Sequence, residues 1–294
     1  MAVAYLITAY RYPRQLGRLV RRLTREAPGS RVLVHVDGKV DLRPFVEACD
    51  GSPVEFLDRR RDVRWGSFSM VRATMDLAEL SRRHEFTHAI LLSEQCYPVR
   101  PLEELEDLLS THADQDFIDL RHVASEWPVI SPRFEKFYFR EWSRRAPRTC
   151  WLAKKVLGMI RPIRQPPGGV SIHAGSTWWA LSRASLDQVL DEHRTNRRLR
   201  RFFSLTLIPE EMYVHTILGN SPRGECTQPS ITYARFDKQI SISHPLVWTR
   251  TDTAELESSG CFFARKFDES LDAEVLDYFD QHPSASDGSR VWTV

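Results

Sequence analysis

The fold is decided by the stretch VAYLITAYRYPRQLGRLVRRLTREAPGSRVLVHV, residues 3–36. It opens with the short apolar run VAYLIT, passes through a helical pattern over residues 13–23, and ends in RVLVHV, a run rich in β-branched side chains. Short apolar runs of this kind are typical of buried strands. A strand, a helix and a second strand in this order predict two parallel strands joined by a helix that covers one face of the sheet.

The same alternation continues outward to residue 120. It gives a helical pattern at 42–48, the strand VEFL at 54–57, a helix over 67–80, the strand HAILLS at 88–93 and the amphipathic helix PLEELEDLLS at 101–110. This order predicts an α/β fold with a mostly parallel central sheet flanked by helices. The GxGxxG and P-loop motifs do not follow the first strand, which excludes those two nucleotide-binding classes.

The second half of the chain is less regular. Residues 121–168 are rich in Arg, Trp and Pro and read as an irregular segment. Further elements are predicted as the strand STWWALSR at 176–183, helices at 184–194 and 209–219, the strand-like ITYARF at 231–236, and a helix at 270–280. Without repeats or linkers, the simplest organisation is one domain over residues 1–281 and a flexible polar tail over residues 282–294.

Composition restricts the functional class. The 294 residues are 42% hydrophobic and 27% charged, with a net charge of +2, as in ordinary globular proteins and too balanced to suggest a nucleic-acid partner. Two arginine-rich runs, at 58–64 and 197–201, are predicted to be solvated faces.

The five cysteines form no CxxC pair, which argues against a zinc site. Their odd number and the absence of a secretory pattern at the N-terminus fit a reducing compartment, and no apolar run is long enough to span a membrane. We therefore expect a cytoplasmic location.

Polar residues gather where the predicted strands end. The segments ITAYR (7–11), HVDGKVD (35–41), VRWGSFS (63–69) and LLSEQCYPVRP (91–101) each follow a strand or lie beside a strand end. In open α/β sheets, ligands bind beyond the carboxyl ends of the strands. We therefore expect the chemistry at this edge of the sheet.

Two neighbouring carboxylates stand out in LIPEEMYVHTIL, residues 207–218. Proline and acidic residues are common in a first helical turn, where the positive end of the helix dipole stabilises the ionised form of a carboxylate. The same turn also suits a catalytic base held on a rigid element. Helical periodicity does not choose between the two, because Glu210 lies on the inward apolar stripe at least as well as Glu211.

A DxD string, Asp114-Gln115-Asp116, offers a different chemistry. Carboxylates at this spacing are able to hold Mg²⁺ or Mn²⁺ against a diphosphate. The string follows the helix at 101–110 and leads into FIDL, which favours a structural turn into a strand. A metal-dependent enzyme using Asp114 and Asp116 is the alternative.

Seven segments, taken together and in chain order, resemble the core-2/I-branching β-1,6-N-acetylglucosaminyltransferase family, which also includes peptide O-xylosyltransferases. They are AYLITAYRYPRQLGRLV (4–20), VHVDGK (34–39), WGSFSMVRATM (65–75), LLSEQCYPVRP (91–101), GSTWWALSR (175–183), PEEMYVHTIL (209–218) and HPLVWTRTDTAELESSGCFFARKFD (244–268). With neither an anchor nor a recognisable disulfide framework, the chain resembles a soluble, bacterial-type member of that family.

The resemblance implies a GT-A-like fold and an inverting glycosyltransferase that uses a UDP-sugar donor, UDP-GlcNAc first, without a divalent metal or another cofactor. The implied acceptor is a glycan, a protein hydroxyl or a small natural product. The alternatives are a metal-dependent or xylosyltransferase-like enzyme with another UDP-sugar, and a non-catalytic nucleotide-sugar-binding protein.

The resemblance also implies roles for single residues. Glu211, the second acidic residue of the family's Pro-Asp/Glu-Glu motif, corresponds to the general base, with Glu210 as the comparison. Lys266, with Arg265 beside it, corresponds to the cation that binds the donor diphosphate. The second cation of the family matches either Arg250 or His244.

Other positions correspond to donor and acceptor contacts. The nucleoside side has Asp37, for which a turn-forming role is equally open, His35, for which a structural role is favoured, Trp65 and Gly66. The sugar and acceptor pocket has Glu94, Gln95, Trp178, Trp179, Tyr233 and Arg235. Trp178 and Trp179 are predicted on one strand, with one ring in the core and the other lining the pocket.

The string LLSEQCYP departs from the family pattern LLSGxDYP. Glu94 replaces the glycine and Cys96 replaces the aspartate. In the family that aspartate lies near a sugar, so the departure leaves the identity of the sugar open.

Overall fold

The computed structural model describes residues 2–141, 148–149, 151–152, 155–156, 163–236 and 245–282. Its strands, in chain order, are β1 (Val3–Ala9), β2 (Arg31–Val36), β3 (Val54–Phe56), β4 (His88–Ser93), β5 (Cys96–Pro98), β6 (Asp116–Phe117), β7 (Arg121–His122), β8 (His173–Ala174), β9 (Ala180–Ser182), β10 (Thr227–Gln228), β11 (Thr232–Ala234) and β12 (Phe263–Arg265).

The helices flank these strands. They are α1 (Pro13–Glu26), α2 (Arg43–Ala48), α3 (Phe68–Ser81), α4 (Leu102–Thr111), α5 (Val123–Glu126), α6 (Pro132–Glu135), α7 (Arg183–Thr195), α8 (Arg197–Phe203), α9 (Tyr213–Gly219), α10 (Thr253–Ser258) and α11 (Glu274–Gln281). Short 3₁₀ turns cover Pro128–Ile130, Pro167–Gly169, Pro209–Glu211, Pro222–Glu225 and Arg250–Asp252.

The central sheet is built around β1. The strand order is β10-β6-β9-β4-β1-β2-β3, and β1 pairs in parallel with both β2 and β4. All seven residues of β1 are buried, because strands in the middle of a parallel sheet are covered on both faces. β9 runs antiparallel to β4 and β6, so the residues that precede it approach the edge where β4 ends.

Two groups of helices cover the sheet. α1 contacts α4, whereas α3 packs with α7 and against β1 and β2. α3 begins at Ser67, whose hydroxyl accepts the Ser69 amide and so caps a helix with a buried apolar face. The mostly parallel sheet with flanking helices confirms the predicted α/β architecture. Among these helices, none is long and apolar enough to cross a membrane.

A smaller sheet joins the C-terminal part of the domain to the end of β4. β12 lies between β11, to which it is parallel, and β5, to which it is antiparallel. β5 follows β4 closely, and Cys96 of β5 is in register with Arg265 of β12. The FARKFD segment is therefore fixed at the carboxyl end of β4.

Two predicted elements differ from the structure. The helix predicted over 209–219 is divided into the 3₁₀ turn Pro209–Glu211 and α9, because Met212 between them lies outside the helical region with a φ of −132°. The strand predicted over 176–183 is shorter, and both Trp178 and Trp179 precede β9. Most of the predicted tail, residues 283–294, lies outside the described residues.

Candidate active site

The carboxyl ends of β1, β2 and β4 meet at one edge of the sheet. The Asp37 amide donates to the Ala9 carbonyl at 2.8 Å, and the Glu94 amide donates to the Thr8 carbonyl at 3.2 Å. These bonds continue the parallel ladder beyond the strands. The loops that follow β1, β2 and β4, which are predicted to carry the chemistry, therefore lie side by side at this edge.

Asp37 is buried and forms a turn with Lys39. Its Oδ1 accepts the Lys39 amide at 2.9 Å, and its Oδ2 lies 2.5 Å from the Lys39 ammonium, which also lies 5.3 Å from the centre of the Tyr10 ring. The turn-forming role is thus present in the structure. Lys39 was not singled out in the sequence, although it directly follows the DG turn.

His35, on β2 just before Asp37, makes a structural contact. Its Nε2 accepts the Arg61 amide at 2.8 Å, and burial lowers its pKa to about 4. The imidazole is therefore neutral at neutral pH. In the run at 58–64, Arg61 pairs with Asp76 and Arg60 donates to the Val40 carbonyl. Asp58, Arg59 and Asp62 are exposed, so the predicted solvated face is confirmed in part.

Glu94 holds the loop after β1. Its Oε1 accepts the amides of Tyr10 at 3.0 Å and Arg11 at 3.2 Å, and its backbone carbonyl accepts the Gln15 side chain at 2.7 Å. Burial raises the pKa of the Glu94 carboxyl, and these amides oppose that effect. This departure from the family pattern therefore has a structural role in addition to the predicted one in the sugar pocket.

Gln95 links the end of β4 to the C-terminal segment. Its side-chain amide donates to the Phe267 carbonyl at 3.1 Å, and its own carbonyl accepts the Phe267 amide at 2.9 Å. Both bonds are made by Phe267, the residue directly after Lys266. Gln95 therefore fixes the backbone that carries the predicted diphosphate-binding cation.

Arg265 and Lys266 face different surroundings. The Arg265 guanidinium lies 4.4 Å above the Trp178 ring, an arrangement in which the aromatic face attracts the cation. The Lys266 side chain is half-buried, and its ammonium makes no ion pair or hydrogen bond with any residue that the structure describes. Lys266 is thus available to an anionic ligand.

The two candidates for the second cation are not equivalent. The Arg250 guanidinium donates to Thr253 at 2.9 Å and lies 4.1 Å above the Tyr278 ring, beside α11. No contact joins it to Lys266 in the described part of the chain. His244 lies outside the described residues.

Tyr233 and Arg235 are engaged with α10 and the turn before it. The Tyr233 hydroxyl donates to Glu255 at 2.9 Å, and Arg235 donates to Asp252 at 2.9 Å. Both side chains also contact the buried Trp248 ring. The structure thus gives these two predicted acceptor contacts a clear structural function.

Trp65 and Gly66 lie beside the acidic turn. The Trp65 side chain is 51% exposed, with the Arg140 guanidinium 4.9 Å from its ring centre. Gly66 has a φ of 65°, and its carbonyl accepts the Ile208 amide at 3.1 Å. Gly66 therefore fixes the backbone that enters the Pro209–Glu211 turn.

The two glutamates of this turn point to different environments. The Glu211 side chain is 30% exposed, and its Oε2 accepts Arg133 at 2.6 Å. Glu210 faces a small apolar cavity, where burial raises the pKa of its carboxyl to about 8. At Glu210, desolvation therefore outweighs the effect of the helix start on the ionised form.

The two tryptophans of GSTWWALSR are both buried. Trp178 contacts Arg265, whereas Trp179 lines the cavity of Glu210. The prediction that one of them lines the sugar pocket stays a prediction. Both rings nevertheless belong to the core.

The two aspartates of the DxD string have different surroundings. The Asp116 carboxylate is buried and accepts the Ser182 amide at 2.8 Å and the Ser185 hydroxyl at 2.5 Å, at the start of α7. Asp114 is exposed. Among the described residues, no group of three or more His, Cys, Asp or Glu side chains is arranged to bind a metal ion.

Comparison with known proteins identifies the family. Residues 3–256 match the profile of the family described as Core-2/I-Branching enzyme. The chain belongs to the core-2/I-branching enzyme family. The match includes every loop of the carboxyl edge up to the start of α10, and it confirms the resemblance seen in the sequence.

Curated relatives of this family member are named as xylosyltransferases. Xylosyltransferase 2 of Rattus norvegicus is 27% identical over 95% of this chain and 33% of its own length. Xylosyltransferase oxt of Drosophila melanogaster is 26% identical over 93% of this chain and 32% of its own length. The chain thus spans about a third of the length of these relatives. The solved galactosyltransferase LgtC is 10% identical over 90% of this chain and 87% of its own, with a TM-score of 0.44, too low for a functional comparison.

Arg133 is a residue that sequence reasoning missed in this family member. It lies in α6, inside the segment 121–168 that read as irregular. No motif or periodicity marks it. Only the tertiary structure brings it to Glu211.

Proposed function

We propose that this chain is an inverting glycosyltransferase that moves a sugar from a UDP-sugar to an acceptor hydroxyl. The observation that carries the proposal is the family match over residues 3–256, because membership supports the glycosyltransferase class. The arrangement of Asp37, Glu94 and the Pro209–Glu211 turn around one edge of the sheet supports it further.

Glu211 is the proposed general base. In direct displacement, a carboxylate takes the proton from the acceptor hydroxyl while the oxygen attacks C1 from the face opposite UDP. Partial exposure of Glu211 leaves it accessible to an acceptor, and the bond from Arg133 restricts its orientation. A base held in this way needs little reorganisation as the reaction proceeds.

Lys266 is the proposed partner of the donor diphosphate, assisted by Arg265. Fixed positive charge stabilises the negative charge that develops on the leaving UDP. Among the described residues, the Lys266 ammonium makes no hydrogen bond or ion pair and interacts with Asp268 only at longer range, which supports this role. On this proposal the reaction needs no divalent metal or other cofactor. The second cation, Arg250 or His244, stays open.

The transferred sugar is proposed to be xylose or N-acetylglucosamine, supplied as the UDP-sugar. The names of the curated relatives favour xylose, whereas the resemblance of the sequence favoured N-acetylglucosamine. The acceptor is a glycan, a protein hydroxyl or a small natural product, and a cytoplasmic location stays part of the proposal.

A thermal-shift panel tests donor and metal together. The purified chain is heated with UDP, UDP-xylose, UDP-GlcNAc, GDP-sugars and dTDP-sugars, each with Mn²⁺ and with EDTA. A ligand that binds the native state raises Tm. UDP and one UDP-sugar are therefore expected to raise Tm, each by the same amount with Mn²⁺ as with EDTA. Stabilisation by GDP- or dTDP-sugars alone would contradict the donor class.

Donor hydrolysis separates an enzyme from a binding protein. The UDP-sugar that stabilises the chain most is incubated with it, and free UDP is measured over time. Slow release of UDP supports a transferase. Binding without hydrolysis, and without transfer to any hydroxyl acceptor, would favour the non-catalytic alternative.

A further inference from the structure

Glu210 occupies a chemical environment unlike that of the neighbouring Glu211. Its cavity has apolar walls from Val71, Met75, Leu91 and Trp179, with hydroxyls from Thr74 and Thr177. The Oε2 atom of Glu210 is buried and has no hydrogen-bond partner in the described part of the chain. The carboxyl group also accepts a hydrogen bond from the Glu210 backbone amide, but burial outweighs this bond, so the neutral acid is the form that fits.

The backbone delivers this side chain to the cavity. Ile208 adopts a left-handed conformation with a φ of 52°, which is uncommon for a β-branched residue. Its amide is held by the Gly66 carbonyl at 3.1 Å, and the Glu211 carbonyl on the other side of the turn accepts the Gly175 amide at 3.0 Å. Glu210 thus points inward from a turn that is anchored at both ends.

We propose that Glu210 is a positioning residue that acts as an uncharged carboxylic acid, seating the Pro209–Glu211 turn in its cavity and so placing Glu211 for catalysis. The free space between the walls is about 10 Å³, which suits about one water molecule as the hydrogen-bond partner of the acid. This role rests on the proposed function of Glu211, but the chemical state of Glu210 does not depend on it.

The charged groups around Glu210 determine what its ionisation does. They are Glu211 on the same turn, with Arg133 and Arg140 from residues 131–141, whereas α3, β4 and the residues before β9 present neutral side chains. α9 contributes the Tyr213 phenol, whose pKa is raised above its usual range by burial. Ionisation therefore places a second negative charge beside Glu211 and drives Glu210 from the apolar cavity.

Stability against pH gives a test that needs no substrate. Because burial raises the pKa of Glu210 from 4.5 to about 8, the folded chain holds this proton over a range where the unfolded chain has lost it. Relative to Glu210→Gln, which stays neutral, the wild type is therefore expected to lose stability as the pH rises from about 4.5 to 8, and the difference then levels off.

The experiment measures Tm from pH 4.5 to 9.5 for the wild type, Glu210→Gln and the surface control Glu225→Gln. We expect the Tm of Glu210→Gln relative to that of the wild type to rise with pH, whereas that of Glu225→Gln should not. The infrared spectrum of Glu210→Gln should also lack one band of a protonated carboxylic acid that the wild type shows. Parallel curves for all three proteins, with an unchanged infrared spectrum, would overturn the proposal.

Activity against pH tests the positioning role. Wild-type transfer is expected to fall above about pH 8, while Glu210→Gln keeps its activity there and moves the alkaline limb up by at least one unit. An alkaline limb that stays in place in Glu210→Gln would overturn the role. Absence of transfer in every protein would instead contradict the proposed function, and the Tm comparison would still decide the state of Glu210.

Discussion

The Arg133 guanidinium donates to Glu211 Oε2 at 2.6 Å, and this contact joins α6 to the Pro209–Glu211 turn. Both side chains are partly exposed, at 26% and 30%. Ion pairs with this exposure contribute little to stability, so the contact matters for orientation. It fixes one carboxylate at the sheet edge while its neighbour, Glu210, faces the interior.

Glu211→Gln removes the proposed base and keeps its shape. Transfer is expected to fall by roughly 10²–10⁴-fold, the usual contribution of general base catalysis. Binding of UDP should persist, since the substitution keeps the size of the side chain and removes no group proposed to bind the diphosphate. Rate assays and UDP thermal shifts measure the two effects, and near-normal turnover would rule out this assignment.

Arg133→Ala tests whether orientation of Glu211 contributes to catalysis. We expect kcat to fall by about 10-fold or more, because a misplaced catalytic group reduces the fraction of productive encounters. Tm should change by no more than a few degrees. The matched control is Arg201→Ala on the exposed face of α8. Equal kcat values in both variants would show that the ion pair has no catalytic role.

Gly66→Ala tests the backbone that enters the acidic turn. A Cβ at Gly66 would lie 3.3 Å from Leu207 and 3.4 Å from Ile208, at a φ of 65°. Gly51, with a φ of 75° and open space around its Cβ position, is the control.

Both glycine variants are expected to lose about 1–2 kcal/mol of stability through left-handed strain. Only Gly66→Ala should also reduce kcat/KM, since it displaces the turn. If Gly51→Ala reduced kcat/KM as strongly, the effect would reflect stability alone.

Lys266→Ala removes the proposed diphosphate-binding cation, whose ammonium makes no hydrogen bond or ion pair within the described part of the chain. Binding of UDP is expected to weaken and transfer to fall by roughly 10²-fold, a typical loss for one electrostatic contact to developing charge. EDTA should leave wild-type activity unchanged. Titration calorimetry with UDP measures the first effect, and a strict need for Mn²⁺ would contradict the role of Lys266.

Asp116→Ala and Asp114→Ala separate structure from metal binding. Asp116→Ala leaves the Ser182 amide and Ser185 hydroxyl without this partner, so a loss of about 1–3 kcal/mol in unfolding free energy is expected. Asp114→Ala, at an exposed position, should be neutral in stability and activity. Metal-dependent transfer that disappears in Asp114→Ala would favour the alternative enzyme.

Strand positions were predictable because their signal is local. β2 and β4 match the predicted residues 31–36 and 88–93, and α1, α3 and α4 differ by a few residues at their ends. Apolar, β-branched runs between polar turns belong to buried strands wherever they occur. The family followed in the same way, since seven short motifs kept their order along the chain.

Departures occurred where distant contacts override local preference. The acidic turn reads as the start of one helix, but the non-helical Met212 separates it from α9, and the left-handed Ile208, bonded to Gly66, sets the backbone that enters it. Glu94 reads as a pocket residue, but it accepts two amides of the loop after β1. The partners in these contacts are distant in sequence, so no local pattern predicts them.

The sequence alone determined the α/β fold, the family and the edge of the sheet where the chemistry is expected, because periodicity and motif order are properties of neighbouring residues. Only the tertiary structure decided how Glu210 and Glu211 differ. The two residues are neighbours along the chain, but Glu211 faces Arg133 and Glu210 faces an apolar cavity. Charge and burial set the chemistry of a carboxyl group, and both depend on residues that folding brings close.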